Sequence, residues 1–428
     1  MSGWPAVLGL STGVFTAPSR RLFADLMTGW VLTPGRHTLT RVLTLADPHG
    51  RRAHDAYHRF VRAGRWSTGR LWQVLATHAV ALACPDGVLE LLVDDTLAHK
   101  SGRQVAGAGV FRDAIRSTVK RVVYAWGLNL VVVCLRVSPP WGGTPIALPL
   151  NLRVRTKKEG KKTTELAAEM VGEIAGWLPE RSFHLTGDGA YACLLGAQLS
   201  RTQVTSRMRR DAALYEPAPP RTGKRGRPAT KGPRLGTPPE LAAAAPSKAW
   251  TTVTVDVRGR HVERLVVVFD VLWYAVRKDA LLRLVVVRDP AGKEPDDFFV
   301  TSDLSAGGAE VASRYAGRWP IECCFKEAKQ HAGVEHPQSW KDNGPARAVM
   351  LAFWLHTAVW CCYLASWNDT PTWRIRPWYT RKTTPSFFDA LAALRRTLWN
   401  ERITALSSGE RLPEKIINPL LDALAEAA

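Results

Sequence analysis

Cysteine is scarce and unpatterned: seven in 428 residues, with no Cys-x-x-Cys pair. An odd number without that spacing excludes a disulfide framework and a zinc ribbon, and it reads as reduced, mostly buried thiols of an intracellular protein. Acidic residues are also short, 38 Asp+Glu against 58 Lys+Arg, for a formal net charge of +20. The first 85 residues hold ten Arg, no Lys and only Asp25, Asp47 and Asp55 as acids. No basic segment precedes the apolar residues of MSGWPAVLGLSTGVF, which makes a poor signal peptide. Long apolar runs are limited to one, Ala348 to Ala365, where only His356 and Thr357 are clearly polar. That run approaches the roughly 20 apolar residues of a membrane span, but its paired cysteines, two Trp and mid-run His predict a buried core helix. A cytoplasmic protein without a membrane partner is expected. With 46% hydrophobic and 22% charged residues, the chain is globular and not disordered. A strong positive excess on a folded protein points to a polyanionic partner, nucleic acid first.

Residues 1–85 carry apolar residues at three- and four-residue spacing between Pro and Gly breaks, which predicts a basic helical head that contacts DNA. The alternative is a packing bundle with a basic surface. From Val88 the pattern turns to strand: VLELLVDD, then RVVYAWGLNLVVVCLRV, long enough for two strands around a Gly127–Asn129 turn, then TPIALPLNLRVR. TTELAAEMVGEIAGWL has helical periodicity, and SFHLTGDGAY runs from strand to loop. Residues 201–234 hold ten basic residues against Asp211 and Glu216, which predicts an exposed, partly flexible segment. Strands resume in WTTVTVDVRG, ERLVVVFDVLWYAV, LLRLVVVRD and DDFFVTSDL, and from about Ala306 the chain is mainly helical. These shifts divide it into a helical DNA-binding region (1–85), the first part of an α/β domain (86–208), a basic linker with a β-rich insertion (209–305), the completion of that domain (306–340) and a helical C-terminal region (341–428).

Three acids stand where these elements end or begin. Asp94 closes the strand LLVDDT, Asp188 follows the strand in HLTGDGAY, and Glu322 lies in RYAGRWPIECCFKEAKQHAG with Pro320 suited to the first position of a helix. Carboxylates at neighbouring strand ends, with a third on a nearby helix, suit hard Mg²⁺ or Mn²⁺, since no Cys or His accompanies them at ligand spacing. Two such ions about 3.5–4 Å apart serve both oxygens of a phosphodiester displacement. Each Asp alone reads equally as a turn or cap residue. Around Glu322, however, Arg318 is four residues before and Lys329 seven after, on one helical face, with Tyr315 three before Arg318. Cations and a phenol beside an acid suit a phosphate backbone; the alternative is an amphipathic surface helix with an i,i+4 pair.

Tyr315-x2-Arg318-x3-Glu322-x6-Lys329 resembles, at every spacing, the Tyr-Arg-Glu-Lys signature of bacterial insertion-sequence DDE transposases. VDDT-x3-K (Asp94 to Lys100) and GDGAY resemble the first two catalytic segments of that group, in the same order and with a β-rich insertion before the third. The resemblance spans roughly residues 88–340. It implies an α/β, RNase H-like mixed sheet flanked by helices, and a DNA transposase that cleaves element ends and joins the 3′-OH ends to target DNA. It further implies that Asp94, Asp188 and Glu322 bind two catalytic Mg²⁺ or Mn²⁺ ions, and that Arg318, Lys329, Tyr315 and Lys100 contact DNA. Asp94 is preferred because the acid with a hydroxyl two residues on (Thr96) suits the pattern; Asp95 is the alternative, since adjacent strand residues face opposite ways. The partners implied are terminal inverted repeats and target DNA, with a homodimer on DNA in the bacterial nucleoid.

Some relatives stack a flipped base on a tryptophan of the insertion. Here Phe298 and Phe299 are the candidates for base stacking, with strand-core residues as the alternative. Lys224-Arg225-Gly226-Arg227-Pro228 contains the Arg-Gly-Arg-Pro core of AT-hooks, so Arg225 and Arg227 are DNA-contact candidates, and RVRTKKEGKK reads as a phosphate-facing loop. Two rival functions remain at this level: a transposase-derived regulator that binds without cutting, and a metal-dependent nuclease without strand transfer.

Overall fold

The computed structural model describes residues 3–118, 120–220, 229–257, 260–368, 373, 375–407 and 413–427. The head forms five helices, α1 (Trp4–Gly9), α2 (Ala17–Leu32), α3 (Leu39–Ala46), α4 (His54–Ala63) and α5 (Thr68–Ala83). Their starts follow local chemistry: the Thr38 and Ser67 hydroxyls accept from the N–H groups of Arg41 and Arg70, the N-cap role such residues favour. Next come β1 (Leu89–His99), β2 (Gly109–Arg112), β3 (Tyr124–Val137), β4 (Ile146–Arg155), α6 (Thr163–Trp177), β5 (Phe183–Gly187) and β6 (Thr202–Arg207). The insertion comprises β7 (Leu214–Tyr215), β8 (Arg234–Gly236), α7 (Pro238–Ala244), β9 (Thr251–Val257), β10 (Arg260–Val271), β11 (Leu282–Arg288) and β12 (Asp297–Thr301). The chain ends in α8 (Gly308–Ala316), α9 (Pro320–His331), α10 (Gly344–Ala365), α11 (Phe387–Leu406) and α12 (Glu414–Ala425).

Strands β4, β3, β1, β5 and β6 lie side by side, the first two joints antiparallel and the last two parallel. Helix α6 brings the chain back for β5 to pair parallel with β1, and a 3-10 turn at Gly189–Gly196 connects β5 to β6. This mixed sheet with flanking helices is consistent with the RNase H-like fold. The insertion does not form a sheet of its own apart from the small β7–β8 pair. Strands β12, β11, β10 and β9 continue antiparallel from β6, so one sheet of ten strands runs from β2 and β4 at one edge through the insertion to β9.

Two strand expectations are corrected. Residues 124–137 form a single strand, with no turn at Gly127–Asn129. Gly127 serves close packing instead, since a Cβ there would lie 2.3 Å from the Ala98 carbonyl oxygen of β1. The stretch 201–234 contains β6, in the interior of the sheet between β5 and β12. Its sequence TQVTSR hides the strand because the buried polar groups are satisfied within the sheet region: the Thr205 hydroxyl lies 3.1 Å from that of Thr301, and Ser206 donates to the Asp188 carbonyl at 2.7 Å.

Helix α10 is long and apolar enough to cross a membrane by length and composition, yet it is buried inside the protein. It packs on α4, α5, α9, α11 and β4. Trp354 of α10 donates to the Leu71 carbonyl of α5, and buried Arg347 donates to the carbonyls of Val61 and Trp66. Buried Arg395 of α11 likewise donates to the carbonyls of Val31 and Thr33. Head, sheet and tail thus share one hydrophobic core, which supplies the burial that holds a domain together.

Candidate active site

The last parallel pair of β1 and β5 is Val93 with Gly187. Asp94 is the next residue of β1 and Asp188 the first residue after β5, which sets two acids side by side where the parallel pairing stops, neighbouring strands being about 4.8 Å apart. Strand β1 does not end at Asp94 as expected; it continues to His99 against β3, so the acid is held on a paired backbone. Gly187 allows this approach, because a Cβ there would lie 2.8 Å from the Cβ of Tyr191 and 3.0 Å from a Val93 methyl. Asp188 caps the following turn, accepting from the Ala190 N–H at 2.9 Å.

The third acid arrives on α9, which starts at Pro320 as its sequence predicts. Ile321, Cys324, Phe325 and Ala328 are buried, and α9 packs on β1 and β4, leaving Glu322 in the first turn, where the helix dipole favours a carboxylate. Tyr315, Arg318 and Glu322 do not share one helix: α8 ends at Ala316, and Arg318 lies in the turn before α9. There the guanidinium bridges two acids, donating to Asp94 Oδ2 at 2.6 Å and to Glu322 Oε1 at 2.5 Å. Asp94, Arg318 and Glu322 side chains are 18%, 15% and 34% exposed, so the bridge is largely withdrawn from water. Burial pushes the Asp94 carboxyl up to about 7, with the charges of Asp188 and Asp95 adding to the effect and Arg318 opposing it.

Asp95 is engaged elsewhere. It accepts from Asn129 Nδ2 at 3.0 Å and from the Tyr191 hydroxyl at 3.1 Å, and burial raises its pKa. The Arg318 bridge therefore reaches Asp94. Tyr315 stacks on Phe299, ring centres 4.4 Å apart, and burial raises its phenol.

The two lysines point inward. Lys329 Nζ donates to the Leu97 carbonyl at 2.7 Å, and burial lowers its pKa. Lys100 Nζ donates to the carbonyls of Val334, Glu335 and Pro337, and burial lowers it to about 8. Both tie the end of β1 to α9 and the segment after it. Phe298 and Phe299 are 2% and 6% exposed, with Arg210 over the Phe298 ring at 5.0 Å; in this conformation both occupy the strand core. Arg225 and Arg227 lie outside the described residues. In the loop after β4, Arg155 donates to the Lys161 carbonyl and Lys161 pairs with Glu169.

Sequence reasoning missed a network beside the acids. His99 places Nδ1 2.9 Å from Glu335 and Nε2 2.8 Å from buried Asp113, while Lys329 approaches Glu335 at 3.9 Å. Although burial opposes its charge, Asp113 is held below the usual carboxylate range by hydrogen bonds from His99 and the Arg116 N–H. No local pattern marks these residues, whose partners are distant in the chain.

Among the described residues no three His, Cys, Asp or Glu side chains close into a metal cluster. Asp94 and Asp188 adjoin, and Glu322 stands across Arg318. The donors nevertheless fit a hard divalent cation: all are carboxylate oxygens, and Asp94, whose carboxyl burial pushes up to about 7, has Asp188 and Asp95 as acidic neighbours.

A family model described as DDE superfamily endonuclease matches residues 10–261. The chain belongs to that superfamily. No curated protein matches it. DDE endonucleases are nuclease- and transposase-type enzymes that cleave phosphodiesters, act on DNA and generally use divalent metal ions. In this DDE endonuclease the matched span contains Asp94 and Asp188, whereas α9 with Glu322 lies beyond it. Arg318 ties this acid to Asp94.

Proposed function

We propose that this DDE endonuclease is an insertion-sequence transposase, and that Asp94, Asp188 and Glu322 form its catalytic triad of acids. The observation that carries the reading is the Arg318 bridge, which joins the acid on β1 to the acid on α9, Arg318 itself lying 224 residues from Asp94. Its four-residue setting, Tyr315, Arg318, Glu322 and Lys329, is the one that resembles the transposase signature.

Asp94, Asp188 and Glu322 would hold the divalent ions, Mg²⁺ or Mn²⁺, whose chemistry is to activate the attacking oxygen and stabilise the leaving one. The protein's own groups prepare that site. Arg318 orients both outer carboxylates and offers a guanidinium to a phosphate when the strand enters. Asn129 and Tyr191 fix Asp95, which braces β1 beneath Asp94. Lys329 and Lys100 hold the β1 end against α9, so the distance between the acids is set by packed elements. Cleavage at an element end and joining of the 3′-OH to target DNA are both in-line displacements at this one site. Two ends cut together require at least a homodimer on DNA, in the bacterial nucleoid.

The test supplies duplexes carrying the true element ends together with a target plasmid and Mg²⁺ or Mn²⁺. Joined products that disappear in Glu322→Gln support a transposase. Cutting without joining would assign a nuclease instead, and binding without cutting a regulator.

A further inference from the structure

Beyond the acids, the same strand and helix lead into a groove that the proposed chemistry does not use. It lies between residues 100–108, which connect β1 to β2, and residues 332–343, which connect α9 to α10. The two connections are pinned together: the Ala106 N–H donates to the Trp340 carbonyl at 2.8 Å, and Lys100 holds three carbonyls of the opposite wall. The cavity between them is about 490 Å³, with Arg36, His99, Lys100, Glu335, Gln338 and Trp340 among its lining.

Trp340 is 47% exposed although its backbone is fixed. A single exposed apolar side chain is ordinary, but this one is surrounded by polar and cationic groups. The Lys341 ammonium sits 4.5 Å from the centre of its ring, and Arg36 is exposed on the same groove. The lining carboxylate, Glu335, is engaged by His99. An indole face beside cations is the chemistry that stacks a nucleic-acid base and holds its phosphate.

The groove begins at the end of the strand that carries Asp94. Lys100, the residue after β1, is six residue steps from Asp94, about 20 Å at 3.3 Å per residue, which is about six steps of a DNA strand at 3.4 Å each.

We infer that this groove takes an unpaired nucleotide of the strand that passes the acids, its base stacked on Trp340 and its phosphates beside Arg36 and Lys341. The inference rests on the reading of DNA as substrate. Stacking is tolerant of sequence, because every base has a π face, so the groove selects an unpaired end and not a particular base.

The test uses the full chain with EDTA and fluorescence anisotropy on two labelled DNAs, a blunt duplex and the same duplex with six unpaired nucleotides at one end. Wild type is expected to prefer the frayed duplex. Trp340→Ala should lose that preference, about 5- to 150-fold for one stacked base, while Trp340→Phe keeps most of it. Affinity for the blunt duplex should be equal in all three. Arg36→Ala should lower the salt dependence of frayed-duplex binding by about one counterion. The inference is overturned if wild type shows no preference for the frayed end, if Trp340→Ala retains the preference, or if Trp340→Ala weakens both DNAs alike. Wild type binding neither DNA would instead overturn the transposase reading itself.

Discussion

Asp94→Asn is expected to stabilise the protein while abolishing its chemistry, with a pH dependence that identifies the cause. In the folded chain the Asp94 carboxyl titrates near 7, against about 3.9 in an unfolded chain. Between those values the folded state binds more protons than the unfolded one, so stability falls as pH rises from about 4 to 7 and the full penalty stands above 7. About three pH units at about 1.4 kcal/mol each give a penalty on the order of 4 kcal/mol at pH 8 and about 1.5 kcal/mol at pH 5. Asn has nearly the shape of protonated Asp, and its amide oxygen still accepts from Arg318, so the substitution removes the charging penalty and little else. At about 2 cal/mol/K per residue the unfolding entropy of the chain is about 0.9 kcal/mol/K, which converts 4 kcal/mol into a rise of about 4 °C. The assay is thermal unfolding with EDTA, wild type beside Asp94→Asn, at pH 5 and pH 8. A gain of equal size at both pH values, or a loss at pH 8, would refute the argument that the buried Asp94 carboxyl is charged at a cost to stability.

The other predictions concern the same region. Mg²⁺ should raise the melting temperature of wild type at pH 8 more than that of Asp94→Asn or Asp188→Asn, as read by the same unfolding assay; an equal rise in all three would place the ion elsewhere. Glu322→Gln should remove cleavage of an element end in a gel assay while leaving duplex affinity unchanged, since the side chain stands in the first turn of α9 and supports no core contact. Asp95→Asn should keep a measurable part of the cleavage that Asp94→Asn loses, because Asp95 is bonded to Asn129 and Tyr191; equal loss in both would assign the two acids a common role. Gly127→Ala should destabilise the chain by about 1–3 kcal/mol or more through overpacking, seen as a lower urea midpoint, because the new Cβ would meet the Ala98 carbonyl.

Much of the site can be read along the chain because its signals are local. An apolar run reaching Asp94, a strand running into Gly187-Asp188 and a proline ahead of Glu322 each describe one element, and the structure places the three acids on β1, directly after β5 and on α9. The burial of α10 follows in the same way from an apolar run without a polar face. Reading fails where a residue's partner is distant. Strand β6 looks like linker because its polar groups are satisfied by Asp188 and Thr301. Gly127 looks like a turn because its need is the backbone of β1, not its own conformation.

Composition and periodicity by themselves thus determined a basic globular chain with a helical head and tail around a mixed sheet, while a family resemblance in the spacing around Glu322 singled out three candidate acids and their neighbours. Tertiary structure alone decided that Arg318 bridges Asp94 and Glu322, that Asp95 belongs to Asn129 and Tyr191, that Lys100 and Lys329 turn inward, and that the insertion extends the main sheet. The division has a physical reason. Backbone propensity and side-chain burial act over a few residues and leave a periodic trace in the chain, whereas the pairing of charges 224 residues apart is set only when packed elements close the distance and exclude water between them.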